Sequence, residues 1–216
     1  MGFLKRLFGG KEKKPEYDEE TLNKWYEDKA AKMEQILGKQ HDMVMHAIIP
    51  YAIGGGLDLY YYPNDIEGVG IATMELCETP GEGSSNDQYE LYEIVMFTRH
   101  ALDMDKAKDD NTPFGKAHHT INAVLNCVAP YSAQAKLNHN DTCEFPAEMD
   151  TVGGKCLIFQ AYKGGEERQP FGMMAVIEIF RDEMNYAREN GTATLVEKLK
   201  AAGHFPYSDL DRDPVV

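Results

Sequence analysis

Phe171-Gly172-Met173-Met174-Ala175-Val176-Ile177-Glu178-Ile179 runs directly into Phe180-Arg181-Asp182-Glu183-Met184-Asn185-Tyr186-Ala187. The first piece is an apolar run of strand length. The second is polar, with Phe180, Met184 and Ala187 at helical spacing. Asn190-Gly191 stops that helix, because glycine tolerates the left-handed backbone of a C-terminal cap. Thr194 and Glu197 stand at capping-box spacing and predict a further helix with Leu195, Leu199 and Ala202 on one face. Gly203 closes it. The following Pro206-Tyr207-Ser208-Asp209-Leu210-Asp211-Arg212-Asp213-Pro214 reads as a charged tail, with Arg212 or Arg181 available for ion pairs.

Upstream, residues 1–16 stand apart as a mobile basic tail: Phe3, Leu4, Leu7 and Phe8 flank Lys5 and Arg6, and Gly9-Gly10 and a Lys-rich run follow. Residues 17–216 read as a single domain. Asp18 caps a helix whose face is traced by Leu22, Trp25, Tyr26, Lys29, Met33 and Ile36-Leu37, and Gly38 ends it. Strand patterns follow at Met43–Ile48, Leu57–Tyr62, Val69–Leu76 and Tyr89–Thr98. Thr112-Pro113 opens a long helix with Ala117, Ile121, Val124-Leu125 and Val128 on one face, and Pro130 is expected to end it. Two more strands fit Leu157–Tyr162 and Met173–Ile179. Strands in a block, with helices before, within and after, predict an α+β fold with a mostly antiparallel or mixed β-sheet and flanking helices.

This strand–helix–helix–tail order resembles the end of the Suppressor of fused family, in particular its single-domain bacterial members. The resemblance rests on Pro170-Phe171-Gly172 before the apolar strand, the Asn190-Gly191 break, the Leu-rich helix and the Tyr207–Pro214 ending. Gly68–Leu76 and Tyr89–Ile94 fall where similar proteins carry two central strands, so it spans roughly 41–214. It implies the same α+β class and a non-catalytic, regulatory protein-binding role. In the animal member a second domain follows, and a transcription-factor peptide adds as a β-strand between the two. This sequence ends where the first domain ends, so the expectation is strand addition or rim contact at one sheet edge, without that clamp or that partner. Bacterial relatives are proposed to be immunity proteins that neutralise toxins. The resemblance also implies that an acidic residue in the turn after the central helix holds the partner; Asn138-His139-Asn140-Asp141 is the matching turn, with Asn140 and Asp141 as partner-binding candidates. The competing reading is that Asp141 caps its own turn.

Composition sets bounds. Of 216 residues, 43% are apolar and 10% aromatic, enough for a buried core. A net charge of -14 argues against nucleic-acid binding, which needs Lys and Arg on phosphates, and favours encounter with a basic protein partner; the competing reading is solubility alone. Cys77, Cys127, Cys143 and Cys156 form no C-x-x-C pair and read as reduced thiols in a cytoplasmic protein. No run is long enough to span a bilayer and no secretory signal is visible, so stable membrane insertion is not expected.

Catalytic signatures fail in turn. His118 and His119 are adjacent and diverge on a helix. His139, Asp141 and Cys143 form the one loop of metal-ligand types, which defines the alternative of a metal-assisted or acid–base enzyme, yet a zinc site wants a fuller set in tetrahedral geometry. Asp209, Asp211 and Asp213 alternate like a calcium loop, but Pro214 stands where glycine is required. Ser84-Ser85 lack a nucleophile elbow, and Gly54-Gly55-Gly56 precedes a strand rather than a helix. Glu90 with Glu93, and Glu178 with Asp182, read as solvated or sheet-edge charges. The expectation is a non-enzyme with no cofactor. In Leu59-Tyr60-Tyr61-Tyr62, Tyr61 takes one face as core, while Tyr60 and Tyr62 share the other, with one of them at an exposed partner-binding patch. A second alternative is a peripheral membrane adaptor acting through Phe3–Phe8.

Overall fold

The strand patterns gather into one sheet. A computed structural model describes residues 17–165 and 167–216; the expected tail, and with it the Phe3–Phe8 membrane reading, lies outside them. The strands are β1 (Val44–Met45), β2 (Leu59–Tyr62), β3 (Val69–Ala72), β4 (Tyr89–Thr98), β5 (Thr142–Glu144), β6 (Cys156–Tyr162) and β7 (Gln169–Ile179). Their order is β1-β2-β3-β4-β7-β6-β5. Neighbours are antiparallel except β4 and β7, which are parallel. A parallel pair needs a long crossover, and α2 (Pro113–Ser132) with the β5–β6 pair supplies it. The sheet is mixed and the class α+β, as the sequence predicts.

Side-chain alternation assigns the helices to faces. Tyr61 turns to α2, where its hydroxyl meets His118 Nε2 at 2.8 Å, and Ser84 Oγ meets Ser132 Oγ at 2.7 Å. The opposite face receives α1 (Glu19–Leu37), whose Lys29 reaches Glu93 of β4. It also receives α3 (Arg181–Asn190) and α4 (Thr192–Ala201), which pack Met184, Leu195 and Leu199 on Ile158 and Ile177.

Caps explain most helix limits. Asp18 Oδ1 accepts the Thr21 N–H at 2.8 Å, and Thr112 Oγ1 accepts the Gly115 N–H at 3.1 Å. Two limits differ from expectation. Pro130 lies inside α2, which runs on to Ser132, whose hydroxyl donates to the Ala129 carbonyl at 2.7 Å. In addition α4 starts at Thr192; Thr194 Oγ1 donates back to the Asn190 carbonyl at 3.0 Å instead of capping. Gly191, at φ 90°, alone makes the break between α3 and α4.

The C-terminal tail is the largest departure. Its Tyr207 forms a parallel bridge with Phe97, and the Ser208 N–H donates to the Phe97 carbonyl at 2.8 Å. Ser208 Oγ takes the Glu178 N–H and gives its proton to the Val176 carbonyl, both at 3.2 Å. The tail is therefore wedged between the ends of β4 and β7. Asp209, expected in solvent, is buried and accepts Thr98 Oγ1 at 2.6 Å and the Arg99 N–H at 2.7 Å.

Candidate partner-binding site

A sheet offers unsatisfied backbone only at its edges, here β1 and β5. In the β5–β6 ladder the Phe159 N–H donates to the Asp141 carbonyl and the Phe145 N–H to the Lys155 carbonyl, each at 3.0 Å. Antiparallel hydrogen bonding alternates, so with Cys143 opposite Leu157, the N–H and C=O of Thr142 and Glu144 point away from the sheet. Both residues are exposed. Beside this edge lies a groove of about 350 Å³, bounded by Tyr131 of α2 on one face and by Ala187, Arg188 and Thr192 of α3 and α4 on the other.

The groove also includes Asn140 and Asp141, two of the residues singled out from sequence. Their geometry is that of a turn. Asp141 Oδ2 accepts the Asn138 N–H at 2.7 Å, and the Asp141 N–H returns to the Asn138 carbonyl at 3.1 Å. Asn140 sits at φ 71° and places its N–H on the Phe159 carbonyl at 2.8 Å, while its Oδ1 accepts Gln160 Nε2 at 3.0 Å. The turn is tied to the loop before β4 by Asp87 N–H to Asn138 Oδ1 at 3.0 Å and His139 N–H to Gln88 Oε1 at 3.1 Å. Asp141→Ala leaves the Asn138 N–H without its acceptor, so the expected loss is about 1–2 kcal/mol. Asp141→Asn, which keeps an acceptor, is expected to lose less; urea denaturation of the three proteins checks the order.

The loop does not assemble a metal site. His139 Nδ1 accepts the Ala161 N–H at 3.2 Å, and burial together with Lys200 lowers the His139 pKa. Burial, with Cys156 and Glu144 adding to it, pushes the Cys143 thiol up. Among the described residues no three His, Cys, Asp or Glu side chains are grouped to hold a metal ion.

The tyrosine expectation requires correction. Tyr60, Tyr61 and Tyr62 are all buried, so neither Tyr60 nor Tyr62 marks an exposed patch. The face those two share lies under α1 and the segment that follows it: the buried Lys29 of α1 reaches Glu93 on the same side of the sheet, and the Tyr62 hydroxyl donates to Gln40 Oε1, just past the end of α1, at 3.2 Å. Among the exposed apolar groups are instead Met43, Ile48, Ile49 and Ile53, in and after a stretch that reads from sequence as one strand.

The carboxylate pairs are also reassigned. Glu93 is buried on β4 in the middle of the sheet, and Glu178 is buried on β7 against Lys155 Nζ at 2.7 Å. Burial raises the Glu178 pKa, with Lys155 acting against it. Their presumed companions Glu90 and Asp182 are exposed. At the β5 edge, Glu144 lies between Arg181 at 2.5 Å and Arg188 at 2.9 Å, which hold its carboxyl below the usual range. Lys136 pairs with Asp87 at 2.8 Å. The edge is locally balanced in charge although the chain is strongly acidic.

A mixed seven-stranded sheet with helices on both faces and an open edge beside a groove defines an α+β scaffold. The comparisons give that scaffold a fold. A chain of the Sufu-Fu complex crystal structure superposes with a TM-score of 0.52 at 14% identity, covering 90% of this chain and 92% of that one. Drosophila Suppressor of fused is similar at 14% identity and a TM-score of 0.47, covering 80% of this chain and 45% of that one. No family model and no curated protein sequence matches. The chain has a Suppressor of fused-like fold.

Proposed function

We propose that this chain is a non-catalytic protein-binding module, a single domain over 17–216, in which the β5 edge takes up an extended segment of a partner protein as an added strand. The outward N–H and C=O groups of Thr142 and Glu144, beside a groove lined from both faces, carry this reading. Asn140 and Asp141 hold the turn that sets the edge and stand at the groove rim. The complex named for the structural neighbour is one between two proteins, which accords with a binding role. The net charge of -14 suits a basic partner, with long-range attraction acting on a locally balanced docking edge. An acidic immunity protein that neutralises a basic toxin in the cytoplasm, the role proposed for single-domain bacterial members of the family this sequence resembles, is the role that fits best; the four free thiols accord with a reducing compartment.

Thr142→Pro tests the mode. Proline is tolerated on an edge strand where its N–H faces out, and it removes the donor an incoming strand needs. The partner, isolated by affinity capture on the wild-type protein, is expected to bind Thr142→Val normally and Thr142→Pro at least about tenfold more weakly, the loss of ~1.4 kcal/mol. Equal affinity for both variants, with both folded, would remove strand addition at β5.

A further inference from the structure

The β1–β2 connection is apolar, exposed and firmly built. Ile48 is fully exposed, and Ile49 and Ile53 are more than half exposed. Yet the backbone beneath them is fastened. The Ala47 N–H is on Asp58 Oδ1 at 2.8 Å, the Gly55 N–H on the Pro50 carbonyl at 3.0 Å, and the Leu57 N–H on Asn126 Oδ1 at 3.0 Å. Gly55 lies so close to Ile49 that a Cβ there would meet the Ile49 carbonyl oxygen at 1.8 Å. From Met43 to Leu57 there is no Asp, Glu, Lys or Arg. An ordered loop that holds isoleucines in water marks an interaction surface.

Carboxylates crowd the foot of this loop. Asp58 accepts from His46 at 2.6 Å, and Glu75 Oε2 accepts the Asp58 N–H at 2.6 Å. Glu75 is pushed up to about 7 by burial, against the Asp58 N–H bond and with the charges of Asp58, Glu78 and Glu93 adding to it. The charges of Glu75 and Glu78 also reach Tyr51, in the loop's own 3-10 turn Tyr51–Ile53. Tyr17 is the first described residue, and its hydroxyl donates at 2.8 Å to the carbonyl of Pro80, two residues from Glu78. Tyr17 is thereby held beside the same acidic foot.

Residues 1–16 have the complementary chemistry: Phe3, Leu4, Leu7 and Phe8, with five basic against two acidic side chains. That gives the segment a charge of +3 and leaves -17 on the remainder. We infer that residues 1–16 dock in cis on the isoleucine loop, with their apolar side chains on Ile48, Ile49 and Ile53 and their Lys and Arg groups over Asp58, Glu75 and Glu78. An anionic membrane meets repulsion here, and a second copy brings the same charge to the same face. Tethering supplies an effective concentration of about a millimolar, so even a weak contact is populated.

The test uses the full-length chain. Carbodiimide coupling joins an ammonium to a carboxylate in contact with it, and in the monomer it is expected to link Lys5, Lys11, Lys13 or Lys14 to Asp58, Glu75 or Glu78. The variant Phe3→Ser/Leu4→Ser/Leu7→Ser/Phe8→Ser and the separate variant Ile48→Ser/Ile53→Ser are each expected to lower that yield about tenfold. The first is also expected to speed amide exchange over residues 46–57. Ile48 and Ile53 are exposed, so an unchanged Tm certifies the second variant. Equal yields in all three proteins, links found only between copies, or unchanged exchange over 46–57 would each overturn the inference. A dimer, or vesicle binding, that is lost on Ile48→Ser/Ile53→Ser would assign the loop to a second copy or to lipid instead.

Discussion

Lys29→Met is expected to lower stability by about 3–5 kcal/mol, the cost of orphaning one member of a buried ion pair, and to lower Tm by about 6–20 °C. Lys29 and Glu93 are 1% and 0% exposed. The ammonium spends its three donors on the Met74 carbonyl at 2.5 Å, the Cys77 carbonyl at 2.8 Å and Glu93 Oε1 at 3.0 Å. Glu93 also accepts from Thr73 Oγ1 at 2.7 Å and from the Leu76 and Cys77 N–H groups at 3.2 and 3.1 Å. One pair thus fastens α1, the 73–77 turn and β4 to one another. The methionine leaves a buried carboxylate without its cation and removes the lysine donor from the Met74 and Cys77 carbonyls, of which Cys77 keeps the Trp25 Nε1–H at 2.9 Å. Lys29→Met/Glu93→Gln is expected to lose less than the two single changes added together, because the orphaned charge is gone. Urea denaturation of the four proteins measures the coupling. A single-mutant loss under about 1 kcal/mol, the value of an exposed pair, would show that water replaces the contact.

Half of that pair is legible in the sequence. Lys29 falls on the apolar face of the first helix by periodicity, beside Trp25 and Met33, so its burial follows from spacing. Its partner does not. Glu93 sits in an alternating strand and reads as a solvated charge. Only the tertiary packing, with β4 central in the sheet, α1 on its Glu93 face and α2 on the other, puts both its faces under cover. The tyrosines need the same non-local information: alternation separates Tyr61 from Tyr60 and Tyr62, but does not say that the latter two are buried as well. Caps and breaks that depend on adjacent residues, such as Asp18, Thr112, Gly38 and Gly191, were readable because their chemistry is local.

The candidate site was legible in part for the same reason. Asp141 as the closer of its own turn follows from its type and its neighbours, and its side chain makes that bond. The edge strand Thr142–Glu144 is three residues long, with exposed ends, and gives no hydrophobic alternation to detect. The tail from Tyr207 to Asp209 carries a polar sequence into the sheet, where Ser208 and Asp209 replace ladder hydrogen bonds. Polar residues buried by specific partners carry no signature in hydropathy, so by sequence alone they belong in water.

The Arg212–Glu183 pair holds that tail, and its loss is expected to depend on pH. Arg212 grips both Glu183 oxygens, at 2.6 and 2.8 Å, and the two side chains are 5% and 0% exposed. The Phe180 and Val215 N–H groups each add a bond at 3.0 Å. Burial pushes the Glu183 carboxyl up, but the Arg212 bonds, the two backbone N–H groups and the Arg212 charge together hold it below its ordinary value. A depressed carboxyl contributes stability that is present above the unfolded value of about 4.3 and is lost as pH falls through the folded value. In Arg212→Met the push of burial remains and the cation is gone, so the folded carboxyl titrates higher than in the wild type. Its penalty is then full at neutral pH and fades as the group takes a proton. The expected loss is about 3–5 kcal/mol at neutral pH, with the gap to wild type narrowing as the buffer is taken toward pH 4. Arg212→Lys, a point charge that cannot form the two-pronged contact, is expected to fall between. Arg212→Met/Glu183→Gln has no carboxyl at this position and is expected to remove the pH dependence that the pair creates. Urea denaturation of these proteins at several pH values reads the trend, and a gap between Arg212→Met and wild type that stays constant with pH would show that Glu183 keeps its charge without the arginine.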